Sequence, residues 1–164
     1  MRVAGIDPGT RVVGYGIVET QGNAIRPVAF GVVRPKLSLP YEQRLAAIFE
    51  GLRDILDRHS PEVAAIEEAF YGQSITSAFR MGEGRGVAIV AASIGNRPLF
   101  QYTPAEVKKA VVGNGRAHKS QVQEMVRVLL GMAEVPEPED AADALAVAIC
   151  HCNRLAGDVM ALVR

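Results

Sequence analysis

Apolar residues fall in three short runs along the first third of the chain. Val3 to Ile6 is continuous and stops at Asp7. Val12 to Glu19 is the second run, and Ile25 to Val33 follows the turn signal Gln21-Gly22-Asn23. Such runs with tight connections predict an antiparallel meander, with Pro27 weakening the start of the third strand. From Tyr41 to about His59 the apolar period lengthens to that of an amphipathic helix, and Ser60-Pro61 ends it. Val63 to Ile66 reads as a fourth strand with Glu67 at its tip. A helix from about Ser74 to Ser93 follows, carrying Gly82, Gly84 and Gly86, and then a fifth strand, Pro98 to Tyr102. Thr103-Pro104 is an N-cap and first-turn pair. The helix it opens is broken by Gly113-Asn114-Gly115. Two further helices are predicted, Lys119 to Leu130 and Glu139 to Arg154, joined by the Pro- and Glu-rich loop Glu134 to Pro138.

This order predicts an α/β fold, a five-stranded mixed sheet flanked by helices. The fourth strand should return parallel to the first through a right-handed crossover helix. A single domain is expected over residues 1–156, with a loose tail from 157 to 164. In that topology Asp7 and Glu67 sit at the carboxyl ends of parallel strands, the edge where open α/β sheets bind ligands. Pro8-Gly9-Thr10 then has a purpose: it turns the chain sharply and leaves Asp7 pointing into the edge crevice. Asp140 and Asp143, three apart, share one helix face near its N-terminus, where carboxylates are favourable.

Converging carboxylates repel one another unless one takes a proton or a cation sits among them. Hard oxygen donors suit Mg²⁺ or Mn²⁺, and two such ions about 4 Å apart can run in-line phosphoryl transfer. Glu67 has a neighbour, Glu68, and side chains alternate along a strand, so only one of the two can face the crevice.

Composition narrows the picture without deciding it. The 164 residues are 49% hydrophobic and contain no Trp, so aliphatic side chains build the core. The longest apolar stretch, Gly86 to Gly95, is too short to span a bilayer. Asp7 interrupts the first apolar run, so no signal peptide is expected. Cys150 and Cys152, two apart on a helix, face different ways; a mutual disulfide is not expected, and a reducing cytoplasm fits. Eighteen basic and eighteen acidic residues cancel, which argues against a polycation that binds nucleic acid by bulk charge. Their distribution is uneven. Arg97 to Arg127 carries six Lys/Arg against two acids, and Glu134 to Asp143 carries five acids and no base. An anion-binding strip beside a cation-binding site is one reading of that asymmetry.

Four stretches, "GIDPGTRVVGYG", "AIEEAFYGQSITSAFRMGEGRGVAIVAA", "VKKAVVGNGRAHKSQVQEMV" and "DAADALAVAICH", resemble in order and spacing the signature blocks of the RuvC family of bacterial Holliday junction resolvases. The resemblance implies an RNase H-like fold, a homodimer and a metal-dependent endonuclease acting on four-way DNA junctions. It carries the family's acids onto Asp7, Glu67, Asp140 and Asp143, as ligands of two Mg²⁺ or Mn²⁺ ions. It implies paired symmetric nicks that leave a 5′-phosphate and a 3′-hydroxyl. It also implies a partnership with the RuvA–RuvB branch-migration machine.

Lys108 and Lys119 match two family lysines near the active site, and they could contact phosphates or stabilise developing charge. Lys109, Arg116, His118 and Ser120 are further candidates for DNA contact. Phe70 and Tyr71 follow Glu67 in an expected loop, where aromatics can wedge or stack on unpaired bases. Arg80 and Arg85 on the next helix could also reach DNA. Gly82-x-Gly84-x-Gly86 lies inside a helical pattern and lacks the Lys-Ser/Thr of a phosphate loop, so close helix packing, across a dimer for instance, is expected of it. Cys150-His151-Cys152 is too short for a zinc site.

Three other readings share parts of this pattern. A nuclease of the YqgF type also begins with a "DPG"-like turn but lacks the lysine-bearing third block. A sugar-kinase or actin-like ATPase shares an Asp-x-Gly-Thr loop but needs two such domains. A non-catalytic junction-binding scaffold predicts a missing acid, and none is missing.

Overall fold

The structure, a computed structural model, describes residues 1–22, 24–68 and 74–162, with side chains to residue 156. Its elements follow the predicted order. Strands β1 (Arg2–Asp7), β2 (Val13–Gln21) and β3 (Ala24–Val33) form the meander, followed by α1 (Tyr41–His59), β4 (Val63–Glu67) and α2 (Ile75–Ser93). Then come β5 (Leu99–Tyr102), α3 (Pro104–Val112), α4 (Lys119–Leu129) and α5 (Glu139–Leu162). The five strands lie in the order β3-β2-β1-β4-β5. β1 pairs antiparallel with β2 and parallel with β4, and β5 is parallel to β4. Val28 is the extra residue of a bulge, since Ile17 faces Ala29 while Val18 faces Pro27. The bulge is where the ladder absorbs a proline that has no N–H to donate.

Strand alternation sends side chains into two cores. Val3, Val18, Ala65 and Tyr102 pack under α3, α4 and α5, against Val107, Val122, Leu145 and Ile149. Ala4, Ile6, Ile17, Ala64 and Ile66 pack under α1 and α2, against Ile48, Leu52, Leu56 and Ala88. Each central strand is thus apolar on both faces, which is why its sequence reads as a run and not as an alternation.

The α5 side of the sheet has a groove of bare backbone. A β-carbon on Gly5 would lie 2.0 Å from the Ala144 carbonyl oxygen, and one on Gly14 1.9 Å from that of Asp140. One on Gly16 would meet Leu145 at 2.8 Å. Glycine is required at all three for α5 to lie directly on the sheet.

Helix ends follow their sequence signals. Thr103 caps α3 in a capping box with Glu106, Gly113 closes that helix at φ 82, and the Ser74 hydroxyl accepts the Ser77 N–H at the start of α2. α5 does not stop near Arg154, where its sequence pattern ends, but continues as helical backbone as far as Leu162. A single glycine costs a helix about 1 kcal/mol. Ala156, Met160, Ala161 and Leu162 around Gly157 favour continuation. Among the described residues no helix is long and apolar enough to cross a membrane.

Candidate active site

Alternation along β1 and β4 decides where the acids point. Val3 and Ala65 belong to the α5-side core, so Asp7 and Glu67, even steps away on the same strands, face that side too. Glu68 takes the opposite parity and is exposed. The close approach at Gly14, which pairs with Asp7 in the ladder, brings the first turn of α5 against the same strand tip. Asp140 and Asp143 arrive with it. Elements far apart in sequence therefore deliver Asp7, Glu67, Asp140 and Asp143 to one edge.

The acids feel one another. Burial pushes the Asp7 carboxyl up to about 8, and the charges of Glu67, Asp143 and Asp140 add to that, while Lys119 opposes it. Burial, then Asp143, raises Glu67 to about 7 against the pull of Lys108 and Lys119. Asp143 is also raised by burial, with the Lys119 hydrogen bond offsetting part of the rise. Lys119 Nζ lies 2.8 Å from Asp143 Oδ2 and 3.1 Å from Glu139 Oε2. Burial alone would lower the lysine, but these two hydrogen bonds outweigh it and raise it.

A cavity of about 220 Å³ opens beside this cluster, lined by Glu67, Lys108, Lys119 and Asp143 over an apolar floor of Pro104, Val107, Val122 and Ala146. The carboxylates do not close on a single point. Among the described residues no three acid, imidazole or thiol side chains stand as a ready cage for an ion, and the Lys119 ammonium holds Asp143 instead. The donor chemistry nonetheless fits a hard divalent cation. All donors are carboxylate oxygens, and burial together with mutual repulsion holds the strand-tip pair at raised pKa values that a cation bound among them would lower.

The other candidates are placed as follows. Lys108 shares the cavity with Glu67. His118 is the residue before α4, its backbone N–H donating to Gln121 Oε1 at 2.9 Å, and its ring is exposed beside Lys119. Arg116 is exposed in the α3–α4 connection. Lys109 lines a different hollow, with Glu106, Cys150 and Arg154, away from the acids. Arg80 stacks over the Tyr41 ring, 5.1 Å from its centroid, and so is already engaged by α1. Phe70 and Tyr71 lie outside the described residues. Cys150 and Cys152 are free and buried, and His151, 1% exposed, hydrogen-bonds through Nδ1 to the Tyr102 hydroxyl at 2.7 Å. That trio belongs to the core.

Sequence reasoning did not anticipate Glu139 as the second partner of Lys119, nor the glycines beneath α5. The signal for the latter was present: Gly14-x-Gly16 has the period of one strand face, and two missing side chains on one face make a seat for another backbone.

A mixed sheet with parallel centre strands, an antiparallel edge hairpin and acids at the carboxyl edge defines the RNase H-like class of fold. The chain matches the family model described as crossover junction endodeoxyribonuclease RuvC over residues 3–151, and it belongs to that RuvC family. A relative of that name from Caldanaerobacter subterraneus subsp. tengcongensis is 48% identical over 153 residues, covering 93% of each chain. One from Dehalococcoides mccartyi is 47% identical over 156 residues, 95% of this chain and 93% of the relative. The RuvC of Thermus thermophilus, solved in complex with a Holliday junction substrate, superposes with a TM-score of 0.88 at 37% identity, covering 94% of each chain. The yeast mitochondrial resolvase Ydc2, at 16% identity and a TM-score of 0.67, shares the fold.

Proposed function

We propose that this chain is a structure-selective endonuclease that resolves four-way DNA junctions by phosphodiester hydrolysis, with Asp7, Glu67, Asp140, Asp143 and Lys119 as its catalytic residues. The observation that carries this reading is the gathering of four carboxylates and two lysines at one sheet edge, in a RuvC-family chain similar to a relative solved on a Holliday junction.

Asp7, Glu67, Asp140 and Asp143 would hold two Mg²⁺ or Mn²⁺ ions. When bound, such ions supply Lewis acidity at the scissile phosphate and lower the pKa of an attacking water. The protein's own contributions are positional and electrostatic. The strand tips fix Asp7 and Glu67, and the first turn of α5 fixes the other pair. Lys119 orients Asp143 through its 2.8 Å hydrogen bond and keeps its charge at any physiological pH. With Lys108 it presents two ammonium groups to the backbone phosphates. Water attacks phosphorus in line, the bond to the 3′ oxygen breaks, and a 3′-hydroxyl and 5′-phosphate remain. Phe70, Tyr71, Arg116 and His118 extend the DNA surface in this reading.

A homodimer supplies the two sites that paired nicks require. It is supported by an unpartnered stripe on α2. Ile75 is 78% exposed, Phe79 69% and Val90 53%, and between them a β-carbon on Gly82 or Gly86 would meet nothing within 4 Å. These five positions recur at helical spacing along one face. Partnership with RuvA–RuvB and a cytoplasmic setting, which suits two buried free thiols, belong to the same reading.

The test is cleavage of a synthetic mobile four-way junction beside a matched linear duplex, in Mg²⁺, Mn²⁺ or EDTA, with wild type and Asp7→Asn. Metal-dependent paired nicks on the junction alone, lost in the variant, are expected. Binding without cleavage would make the chain a scaffold. Cutting of linear or RNA-containing substrates would move it to another RNase H-like activity.

A further inference from the structure

Helix α2 touches the tips of both acid-bearing strands from the side opposite α5. Its residue 84 meets the turn behind Asp7. A β-carbon there would lie 2.7 Å from Thr10 Cγ2 and 2.9 Å from the Gly9 carbonyl oxygen, so only glycine lets the helix come this close. The next residue, Arg85, donates from Nε to the backbone carbonyl of Glu67 at 3.3 Å, and its Nη2 donates to Gln101 Oε1 on β5.

The ladder explains why that carbonyl is free to accept. Backbone groups alternate sides along a strand. The N–H groups of Ala64 and Glu68 point to β5, where they donate to the carbonyls of Pro98 and Tyr102 at 2.9 and 2.8 Å. Those of Glu67 therefore point to β1. With Gly5 opposite Ala65, the donor due for the Glu67 carbonyl is residue 8. Residue 8 is proline and has no N–H. The turn that ends β1 after Asp7 thus also leaves the Glu67 carbonyl without its ladder donor. A carbonyl left unpaired at a half-buried strand tip costs free energy and loosens the tip.

We propose that Arg85 is the positioning residue of Glu67: its guanidinium replaces the ladder bond that Pro8 cannot make and ties the tip of β4 to α2 and β5. This rests on the resolvase reading and assigns Arg85 inside it, in place of a DNA contact.

The test compares Arg85→Met, Pro8→Ala and the double variant Pro8→Ala/Arg85→Met. Three quantities are read: single-turnover cleavage at saturating junction, junction Kd in EDTA, and the ¹³C shift of the Glu67 carbonyl. Arg85→Met should slow cleavage tenfold or more and leave Kd within twofold of wild type. It should also shift the Glu67 carbonyl upfield. Pro8→Ala restores an N–H at the vacant ladder position, so the double variant should recover at least threefold in rate. An unchanged rate would overturn the assignment, as would a loss expressed in Kd, which makes Arg85 a phosphate contact. A loss that Pro8→Ala does not relieve would overturn it as well. The carbonyl shift needs no cleavage. If the wild type cuts no junction, the resolvase reading fails, and the Arg85 assignment still stands or falls on that resonance.

Discussion

Gly14 of β2 and Asp140 of α5 are in backbone contact: a β-carbon on Gly14 would stand 1.9 Å from the Asp140 carbonyl oxygen. Gly14 is also the ladder partner of Asp7. One residue without a side chain therefore sets the distance between the strand-tip acid and the helix-borne pair. No rotamer relieves a clash between a β-carbon and a backbone oxygen, so the helix start must move.

Gly14→Ala should accordingly lose junction cleavage by a hundredfold or more, since small misplacements of catalytic groups cost about that much. It should also cost stability, on the order of 1–3 kcal/mol, as overpacking does. Gly22→Ala serves as the control, because a β-carbon there would touch nothing. At φ 58 that substitution carries only local backbone strain. Denaturant melts and single-turnover rates separate the two effects. Cleavage near the wild-type rate in a folded Gly14→Ala protein would show that the acids tolerate a displaced α5.

Without bound ions, the acid cluster opposes folding as pH rises. Asp7 ordinarily titrates at 3.8 and is raised to about 8 in the fold, and Glu67 goes from 4.5 to about 7. Between those values the folded chain holds protons that the unfolded chain has released. Stability is therefore lost as pH climbs from about 4 through about 8. In EDTA the Tm should fall across that window, and Asp7→Asn should flatten the fall, standing several degrees above wild type at pH 8 and level with it at pH 4. Mg²⁺ at pH 8 should raise the wild-type Tm more than that of Asp7→Asn. Melting curves at four or five pH values decide it, and parallel wild-type and variant profiles would mean that Asp7 does not carry the strain.

Much of the candidate site is legible in the sequence, and the reason is local. Asp7 and Glu67 close apolar runs, Asp140 and Asp143 open a helix, and Thr103-Pro104 announces α3; each is a signal within a few residues. Parity along β4 then separates Glu67 from Glu68. What stayed hidden depends on contacts between distant segments. Nothing near Arg85 says that it meets a carbonyl eighteen residues upstream. Nothing near Lys119 names Glu139 as a partner. The end of α5, predicted near Arg154 and found at Leu162, turns on Gly157, whose cost to a helix its helix-favouring neighbours outweigh.

In the proposed reading Lys119 joins the acids to the DNA-facing surface. Its ammonium holds Asp143 and Glu139 and lines the cavity that Lys108 shares. Lys119→Met should slow cleavage at saturating junction tenfold or more. In EDTA it should also reduce the slope of log K against log salt by about one, as loss of a single phosphate contact does. A slower rate with an unchanged slope would confine Lys119 to holding carboxylates and remove it from the DNA surface.

The α2 stripe makes the last prediction. Apolar side chains at Ile75, Phe79 and Val90 are left in water, around two glycines that offer a flat seat for another backbone. In the proposed homodimer a second copy of this chain, related by a two-fold axis, would cover that face with itself. Phe79→Glu places a charge at the centre of that contact and removes nothing from the fold's own core. Sedimentation should show a dimer for wild type and a monomer for the variant, with no loss in the monomer's thermal transition beyond that of dissociation. Because each protomer keeps its own four carboxylates, the variant should still nick junction strands singly. It should lose the paired, opposed cuts that turn one junction into two duplexes. A Phe79→Glu protein that sediments as the wild type would place the interface on another face and leave this stripe for a different partner.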